Sequence, residues 1–273
     1  MTDPLNVTRN GKPIDLSGLW APHPAFLCGS GPTLPDYPLE RLQERGVVSF
    51  GINNAAAVAH TKAWTFSDPQ SKFHHALYFD PAVMTFAPHP KLKKRIIVKT
   101  REGFHSTDIK VRDCPNTYGF DRSTQFDPEN FFSTAFAHWG SGKHQPKNVE
   151  PSGCLATLLI GVRLLYYLGV RTIYLLGIDH YGNRRRWKKE DRVFERLLPV
   201  FERVGLDIFN CNPKSGCQVF PFRSWDFAIA DCKGSIVEPL DLEGWYSKKE
   251  VSEQCKRNQM LVPAHYRRVE NVE

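Results

Sequence analysis

Short apolar runs divide the chain, and each run ends in small or polar residues. The clearest runs are residues 25–30, 47–53, 95–100, 171–179 and 206–212. Apolar residues occupy consecutive positions within them, a pattern typical of strands that are buried on both faces of a parallel sheet. We therefore predict core strands in these ranges.

Helical patterns lie between these runs. Residues 36–45 begin with an acidic residue, residues 152–168 are apolar almost all round, and residues 188–205 carry their apolar side chains on one side. Gly46 and Gly169 follow the first two segments, and glycine at that place is a common helix stop. Strands that alternate with helices predict an α/β fold with a Rossmann-like, doubly wound and mostly parallel sheet.

The predicted elements indicate one large domain with extensions. We place an N-terminal extension at residues 1–20, a Rossmann-like nucleotide-binding catalytic domain at 21–235, and a basic, partly helical tail at 236–273. Residues 101–150 are rich in Gly, Pro, Asn, Ser and aromatic residues, so we expect an irregular insertion there. This insertion could be a substrate loop or lid, or a plain structural insertion.

Composition narrows the class of protein. The chain has 273 residues, of which 41% are hydrophobic and 24% charged, so it can bury a sizeable core. No run approaches the roughly 20 apolar residues of a membrane-spanning helix, and the N-terminal segment lacks the apolar stretch of a signal peptide. Seven cysteines without a Cys-x-x-Cys pair favour reduced structural thiols over a zinc site. We expect a cytoplasmic protein without a transmembrane segment.

The formal charge of +7 favours an anionic partner, such as a nucleotide, a polynucleotide, an acidic glycan or a membrane surface. Six cations fall within residues 183–192, directly after a predicted strand. Arg184, Arg185 and Arg186 are therefore candidates for contact with a phosphate or an acidic acceptor. A solvated basic surface would give the same pattern. The sequence leaves the oligomeric state open.

Ligands of open parallel sheets bind beyond the carboxyl ends of the strands, so residues that directly follow a strand are the first candidates for a site. Here they are glycines, short hydrogen-bonding side chains and aspartates. The set comprises Gly29, Ser30, Gly31, Thr33, Asn53, Asn54, Asp68, Asp179, His180, Tyr181, Asn212 and Ser215. These residue types suit a polar ligand that bears phosphate.

The turn at residues 29–33, Gly-Ser-Gly-Pro-Thr, is the most conspicuous local pattern. Its glycines permit the backbone angles with which successive N–H groups bind an anion. It is not a P-loop, since no Gly-Lys-Ser/Thr follows, and Leu34 stands where a dinucleotide fingerprint has its third glycine. Two interpretations stay open: a phosphate-binding nest, or a tight corner between a strand and a helix.

Three side chains are candidates for catalysis. His180 follows directly on Asp179, where an imidazole could accept a proton from an acceptor hydroxyl or could be a hydrogen-bonded, partly buried side chain. Asp68 and Asp179 could hold Mg²⁺ together with a donor diphosphate, since hard cations prefer carboxylate and phosphate oxygens. Either aspartate could instead cap a helix or close a turn.

Several segments follow one another in the order and with the character of known enzymes: CGSGPTL, INN, FSDP, SGCLATLLIGVRLLYYLGVRTIYLLGIDHY and FNCNPKS. In these segments the chain resembles bacterial lipo-oligosaccharide sialyltransferases, and also the wider motility-accessory-factor-like and archaeal hydroxymethyldihydropterin pyrophosphokinase group. The similarity covers residues 25–215 in outline and is strongest over residues 152–181. It implies a glycosyltransferase that binds a CMP-sugar-like donor at the carboxyl edge of the sheet.

The resemblance also implies roles for single residues. Asn53 matches an asparagine that contacts the nucleotide and its phosphate, and Ser152 and Gly153 match a Ser-Gly pair near the donor. The loop that faces the cytidine monophosphate is matched by Gly29, Ser30 and Thr33, and the strand end and rim of the nucleotide pocket by Gly177, Asp179, Tyr181, Asn212 and Ser215.

Some positions depart from the sialyltransferase pattern. Those enzymes have asparagine in place of Asp68, arginine in place of Val149, and a catalytic histidine in a lid, whereas no histidine lies between His180 and His265 here. We therefore expect transfer of a sugar from a nucleotide-activated donor to an acidic, glycan or nucleic-acid acceptor, without a commitment to sialic acid. Two alternatives stay open: Mg²⁺-dependent pyrophosphoryl or nucleotidyl transfer from ATP, and nucleic-acid binding or DNA modification through residues 184–192.

Overall fold

The structure, a computed structural model, describes residues 5–100, 103–123, 125–138, 157–179 and 184–235. Its strands are β1 Thr8–Arg9, β2 Lys12–Pro13, β3 Ala25–Cys28, β4 Val48–Ile52, β5 Ala63–Thr65, β6 Met84–Pro88, β7 Arg95–Thr100, β8 Gly103–Lys110, β9 Thr117–Phe120, β10 Arg122–Ser123, β11 Ala137–His138, β12 Thr172–Leu176 and β13 Asp207–Asn210. Its α-helices are α1 Ala55–Ala59, α2 Ala76–Phe79, α3 His89–Leu92, α4 Thr157–Tyr167, α5 Arg184–Arg203 and α6 Trp225–Gly234.

Nine of these strands form one sheet in the order β13-β12-β3-β4-β5-β6-β9-β1-β2. The strands from β13 to β9 are parallel, whereas β1 and β2 run antiparallel at one edge. The chain moves outwards from β3 through β4, β5, β6 and β9, and then returns to the other side of β3 with β12 and β13. This reversal confirms the predicted α/β fold with a doubly wound, mostly parallel sheet.

Helices cover both faces of the parallel part, which explains why its strands are apolar at consecutive positions. Every residue of β3, β4 and β6 is buried. One face carries α4, whose residues are all buried, together with Val193, Phe194 and Leu197 of α5. On the other face, buried residues of α1 and α6 pack with Phe26 and Tyr174.

The prediction of a parallel core strand at Arg95–Thr100 was wrong. This segment is β7, which pairs antiparallel with β8 in a separate hairpin. Ile96 and Val98 are buried while Ile97 between them is half-buried. Three consecutive apolar residues therefore led to the prediction of a core strand, although only alternate positions face inwards.

Residues 36–45 do not form the predicted α-helix. They lie in a segment with two short 3-10 helices, Leu34–Asp36 and Leu39–Gln43, in which Pro35 and Pro38 remove backbone donors. Within residues 101–150, where we expected irregular structure, the described part contains β8 and β9, and β9 belongs to the main sheet.

Two further expectations fall partly outside the described residues. The predicted start of the helix at residues 152–156 and the tail at 236–273 are not among them, and the described part of that helix, α4, begins at Thr157. In the part of the chain that the structure describes, no helix is both long enough and apolar enough to cross a membrane.

Candidate functional site

The direction in which the chain winds reverses between β3 and β12, which are neighbours in the sheet. The crevice beyond the carboxyl ends of such strands is where open α/β sheets bind ligands. Residues 29–33 follow β3 and residues 177–179 follow β12. The fold thus brings two segments that the sequence singled out to one place.

These two loops are in direct backbone contact. Gly29 N–H donates to Leu176 O at 2.8 Å, and Gly31 N–H donates to Gly177 O at 2.8 Å. A Cβ on Gly31 would collide with Gly177 O and with the Asp179 carboxylate. Gly177 has a φ of +60°, and a Cβ there would collide with Gly29 O. Glycine is therefore required here by the close approach of two loops.

The same bonds decide between the two interpretations of the turn. The N–H groups of Gly29, Gly31 and Thr33 all donate to protein acceptors, and Pro32 has no N–H. These groups do not form the phosphate-binding nest that we considered, because a nest needs N–H groups that point at the ligand. The turn is a tight corner that walls the crevice, with Ser30 as an exposed residue on it.

The Asp179 carboxylate ties three loops together. Its Oδ2 accepts from Thr33 N–H at 2.8 Å, and its Oδ1 accepts from the Thr33 hydroxyl at 2.5 Å and from Asn212 Nδ2 at 2.8 Å. The Ser215 hydroxyl donates to Ile178 O at 2.6 Å nearby. We call Thr33, Asp179, Asn212 and Ser215 the latch.

The latch connects Thr33, Asn212 and Ser215, which we predicted as donor contacts, with Asp179, which we predicted as catalytic. The connections are hydrogen bonds within the protein. Asp179 is 8% exposed, and its carboxylate accepts three hydrogen bonds from Thr33 and Asn212. Its roles as a base and as an ion ligand stay predictions. Beside it, the Tyr37 hydroxyl donates to Cys211 O at 3.0 Å, and burial, with Cys211 and Asp179 nearby, raises the pKa of Tyr37 to about 12.

Asn53 directly follows β4, next to the crevice, and has a left-handed backbone with φ +53°. Its N–H donates to Thr65 O at 2.9 Å, and its carbonyl accepts from Trp64 Nε1 at 2.8 Å. Its side-chain Nδ2 lies 3.4 Å from the Thr157 hydroxyl, whereas the buried Oδ1 has no hydrogen-bond partner among the described residues. An acceptor left in this state costs about 1–3 kcal/mol.

Two cations lie further along the same edge. Lys91 Nζ donates to Asp68 O at 3.1 Å, and the Asp68 carboxylate pairs with Lys72 at 3.0 Å at the surface. Burial and the nearby Arg122 lower the pKa of Lys91, and burial lowers the pKa of Arg122. An anion bound between Lys91 and Arg122 would offset both effects.

Asp68 and Asp179 do not meet at one ion. β3 and β4 separate β5 from β12 in the sheet, so the strands that precede the two aspartates are three strand spacings apart, about 14 Å. Mg²⁺ holds its oxygen ligands at about 2.1 Å and cannot bridge that distance. Nor could any group of three or more His, Cys, Asp or Glu side chains in the described ranges hold a metal ion. A role for Asp68 alone as ligand of a Mg²⁺–diphosphate complex stays a prediction.

Two residues that we did not predict lie at the same edge of the sheet. His89 directly follows β6, Asp121 directly follows β9, and His89 Nδ1 is 2.8 Å from Asp121 Oδ1. Burial raises the pKa of Asp121, but hydrogen bonds from Asn6 and His89 outweigh it, so that the pKa is lowered. The rule about residues that follow parallel strands would have found both, had β6 and β9 been recognised.

Other predicted contacts stay predictions. Asn54 is exposed at the start of α1, and residues 184–186 form the first turn of α5. The predicted site residues that lie outside the described residues are Ser152, Gly153, His180 and Tyr181.

Comparisons with models of protein families, with curated proteins and with solved structures gave no match to the chain. The fold defines a class, an α/β protein with a doubly wound, mostly parallel sheet whose switch point lies between β3 and β12. The resemblance to sialyltransferases and to their wider group rests on the sequence segments alone.

Proposed function

We propose that the chain is a transferase that takes a sugar from a nucleotide-activated, CMP-sugar-like donor bound in the crevice beyond β3, β4 and β12. The observation that carries the proposal is the buried Asn53 Oδ1, which has no partner among the described residues. A ribose hydroxyl or an exocyclic amino group of a base would donate the hydrogen bond that this oxygen lacks.

The latch supports the proposal because it prepares one wall of the crevice before a ligand binds. Asp179, Asn212 and Ser215 are all less than 10% exposed, and their hydrogen bonds form within the protein without a donor. Exposed Ser30 stands on this wall. A preformed wall lowers the entropy that the donor must lose when it is oriented for attack.

Lys91 and Arg122 supply the charge that the reaction needs. β6, which precedes Lys91, is two strand spacings from β4, about 10 Å, and β9, which precedes Arg122, is three, about 14 Å. A donor whose nucleoside contacts Asn53 would extend its phosphate towards them. Cations fixed near a leaving phosphate stabilise the charge that develops in the transition state. They take the role that we first considered for the N–H groups of residues 29–33.

The test is a thermal-shift and calorimetry panel on the full chain with CMP, UMP, GMP, ADP and their sugar conjugates, with and without Mg²⁺. We expect one nucleotide class to shift the melting temperature. Asn53→Gly should then weaken its binding roughly 5- to 150-fold, the equivalent of about 1–3 kcal/mol. Glycine tolerates the positive φ, so this variant removes the amide without straining the backbone.

Asn10→Gly is the matched control. Asn10 has a φ of +52°, close to that of Asn53, and is exposed in the turn between β1 and β2, far from the crevice. It should bind the nucleotide as the parent chain does. Absence of binding to every nucleotide by a folded chain would overturn the proposal. Strict dependence on ATP and Mg²⁺ that is lost in Asp68→Asn would replace it with pyrophosphoryl transfer.

A further inference from the structure

A cavity of about 610 Å³ lies on the outer part of the sheet, against β1, β9 and α3. Its wall includes Thr8, Asn10, His89, Lys93 and Arg112. β9 is four strand spacings from β3, about 19 Å, so the cavity is separate from the crevice at the switch point. The volume falls in the range of small-molecule sites, which raises the question of what chemistry its wall can perform.

Three side chains are hydrogen-bonded in a row, and two of them, Thr8 and His89, line this cavity. Thr8 Oγ1 lies 3.1 Å from His89 Nε2, and His89 Nδ1 lies 2.8 Å from Asp121 Oδ1. Asn6 Nδ2 donates to the other carboxylate oxygen, Asp121 Oδ2, at 3.0 Å and holds it from the far side. Thr8 comes from β1, His89 from α3 and Asp121 from the segment after β9, so the tertiary fold assembles the row.

The hydrogen bonds of this row determine which nitrogen of the His89 imidazole carries a hydrogen. An ionised Asp121 can only accept hydrogen bonds, so His89 Nδ1 carries a hydrogen, and in the neutral imidazole Nε2 has the lone pair that accepts from the Thr8 hydroxyl. A hydroxyl bonded to an imidazole that a carboxylate orients is the arrangement that activates a nucleophile in acyl transfer.

Gly119 makes room for this imidazole. A Cβ at position 119 would lie 2.5 Å from His89 Cδ2 and 2.8 Å from His89 Nε2. Gly119 is not among the glycines with a positive φ, so its backbone conformation alone does not require glycine. The packing of the His89 ring against β9 does require it. The ring is therefore held in place by the strand beneath it as well as by its hydrogen bonds.

We propose that Thr8, His89 and Asp121 form a second active site, with Thr8 as the nucleophile of an acyl transfer, His89 as general base and Asp121 as a positioning residue. The site takes small carboxylic esters or thioesters that carry a negative charge. Among the described residues that line the cavity, Lys93 and Arg112 are cations, and the Asp113 carboxylate pairs with Arg112, its Oδ1 lying 3.7 Å from Nε. This proposal is independent of the proposed transferase function.

The chemistry needs water as its co-reactant. Thr8 Oγ1 forms a bond to the acyl carbon, the bond from that carbon to the leaving oxygen or sulfur breaks, and the Thr8 proton passes through His89 Nε2 to the leaving group. Water then attacks the acyl-threonine ester. His89 takes a proton from this water and returns it to Thr8 Oγ1, which releases the carboxylic acid and restores the site.

The test uses the full chain and two probes, 4-nitrophenyl hemisuccinate, which is anionic, and 4-nitrophenyl acetate, which is neutral. We expect faster release of 4-nitrophenolate from the anionic ester, and acid-quenched peptide mapping by mass spectrometry should locate a succinyl group on Thr8. This mapping needs no variant, so it tests the proposal even where a substitution impairs folding.

Variants then separate the roles. Thr8→Val keeps the shape of the side chain without its hydroxyl and should lower the rate at least about 100-fold, as should His89→Gln, whereas Thr8→Ser should retain activity. Asp121→Asn should lower the rate of acylation without a change in KM and with only a small decrease in melting temperature, a combination that a merely structural carboxylate would not give.

The opposite results would overturn the proposal. These are succinyl groups on lysines and none on Thr8, or equal rates for the parent chain and Thr8→Val. A preference for the neutral ester would overturn the assigned substrate class. Nucleotide binding in the panel described above is expected to be the same in Thr8→Val, so failure of one proposal is distinguishable from failure of the other.

Discussion

The two ends of the sheet's carboxyl edge use their polar groups in opposite ways. At the switch point, the latch and the glycine turn direct their hydrogen-bonding groups into contacts within the protein. Beyond β6 and β9, Lys91 is half-buried, and the Thr8–His89 pair lines a cavity. The difference shows that a conspicuous glycine motif can serve to join two loops, while the groups of our second proposal follow strands with a weak sequence pattern.

The largest expected effect on the free energy of unfolding comes from replacing a glycine. Two glycines separate the cost of a steric collision from the cost of a strained backbone. Gly177→Ala should lower the free energy of unfolding by about 3 kcal/mol or more, since its Cβ collides with backbone of the facing loop. Gly205 also has a positive φ, +66°, but nothing lies within 4 Å of a Cβ there, so Gly205→Ala should cost about 1 kcal/mol. Urea unfolding measures both. Equal losses would mean that the two loops do not require glycine by contact.

The next largest effect is expected at Asp179, and Asp68 serves as the comparison. Asp179→Asn should lower the free energy of unfolding by roughly 2–3 kcal/mol, because an amide replaces a charged acceptor of three hydrogen bonds with a neutral group. Asp68→Asn removes a surface ion pair and should cost less than about 0.5 kcal/mol. Chemical denaturation of both variants checks this order, and similar losses would contradict the description of the latch.

Lys91→Met should not lower the free energy of unfolding, in contrast to the latch variant Asp179→Asn. Burial and Arg122 lower the pKa of Lys91, which means that the fold disfavours its charge. After allowance for screening at this half-buried position, the variant should be as stable as the parent chain or more stable by roughly 0.5 kcal/mol. Affinity for nucleotides with phosphate should nevertheless fall. A clear loss of stability would assign Lys91 to the structure rather than to a ligand.

The smallest expected effect is on the stability of the fold at low pH. Because the pKa of Asp121 is lowered in the folded chain, the folded state binds fewer protons than the unfolded one between the two pKa values. Its contribution is present above the unfolded value of about 3.9 and is lost as pH falls through the folded value. The side chain is 32% exposed, so the contribution is below about 1 kcal/mol. Asp121→Asn should flatten the pH dependence of unfolding in this window, and an unchanged slope would contradict it.

The parts of the fold that could be predicted are those with strong apolar patterns. β3, β4, β12 and β13 and the described part of α4 lie within predicted segments. β6 and β9 could not be recognised, because Met84–Pro88 ends in proline and Thr117–Phe120 contains glycine, two residues that are uncommon in strands. His89 and Asp121 directly follow those strands. Because the strands were not recognised, neither residue was selected as a site candidate.

The latch could not be predicted for a different reason. Thr33, Asp179 and Asn212 were each chosen because they follow a strand, and this placed them at one edge. Their mutual hydrogen bonds depend on the spacing of loops that are 146 residues apart in the chain, and a local pattern carries no such information. The sequence therefore indicated where these residues lie but not that they bind one another.

The separation between Thr33 and Asp179 also has a consequence for how the chain is made. β3 lies in the middle of the sheet, yet one of its two partners, β12, is synthesised more than 140 residues later. Until β12 leaves the ribosome, β3 presents an open, fully apolar edge, the kind of surface that pairs with other chains. Pairing of β12 with β3 covers that edge, and the latch then holds the loops that follow the two strands together.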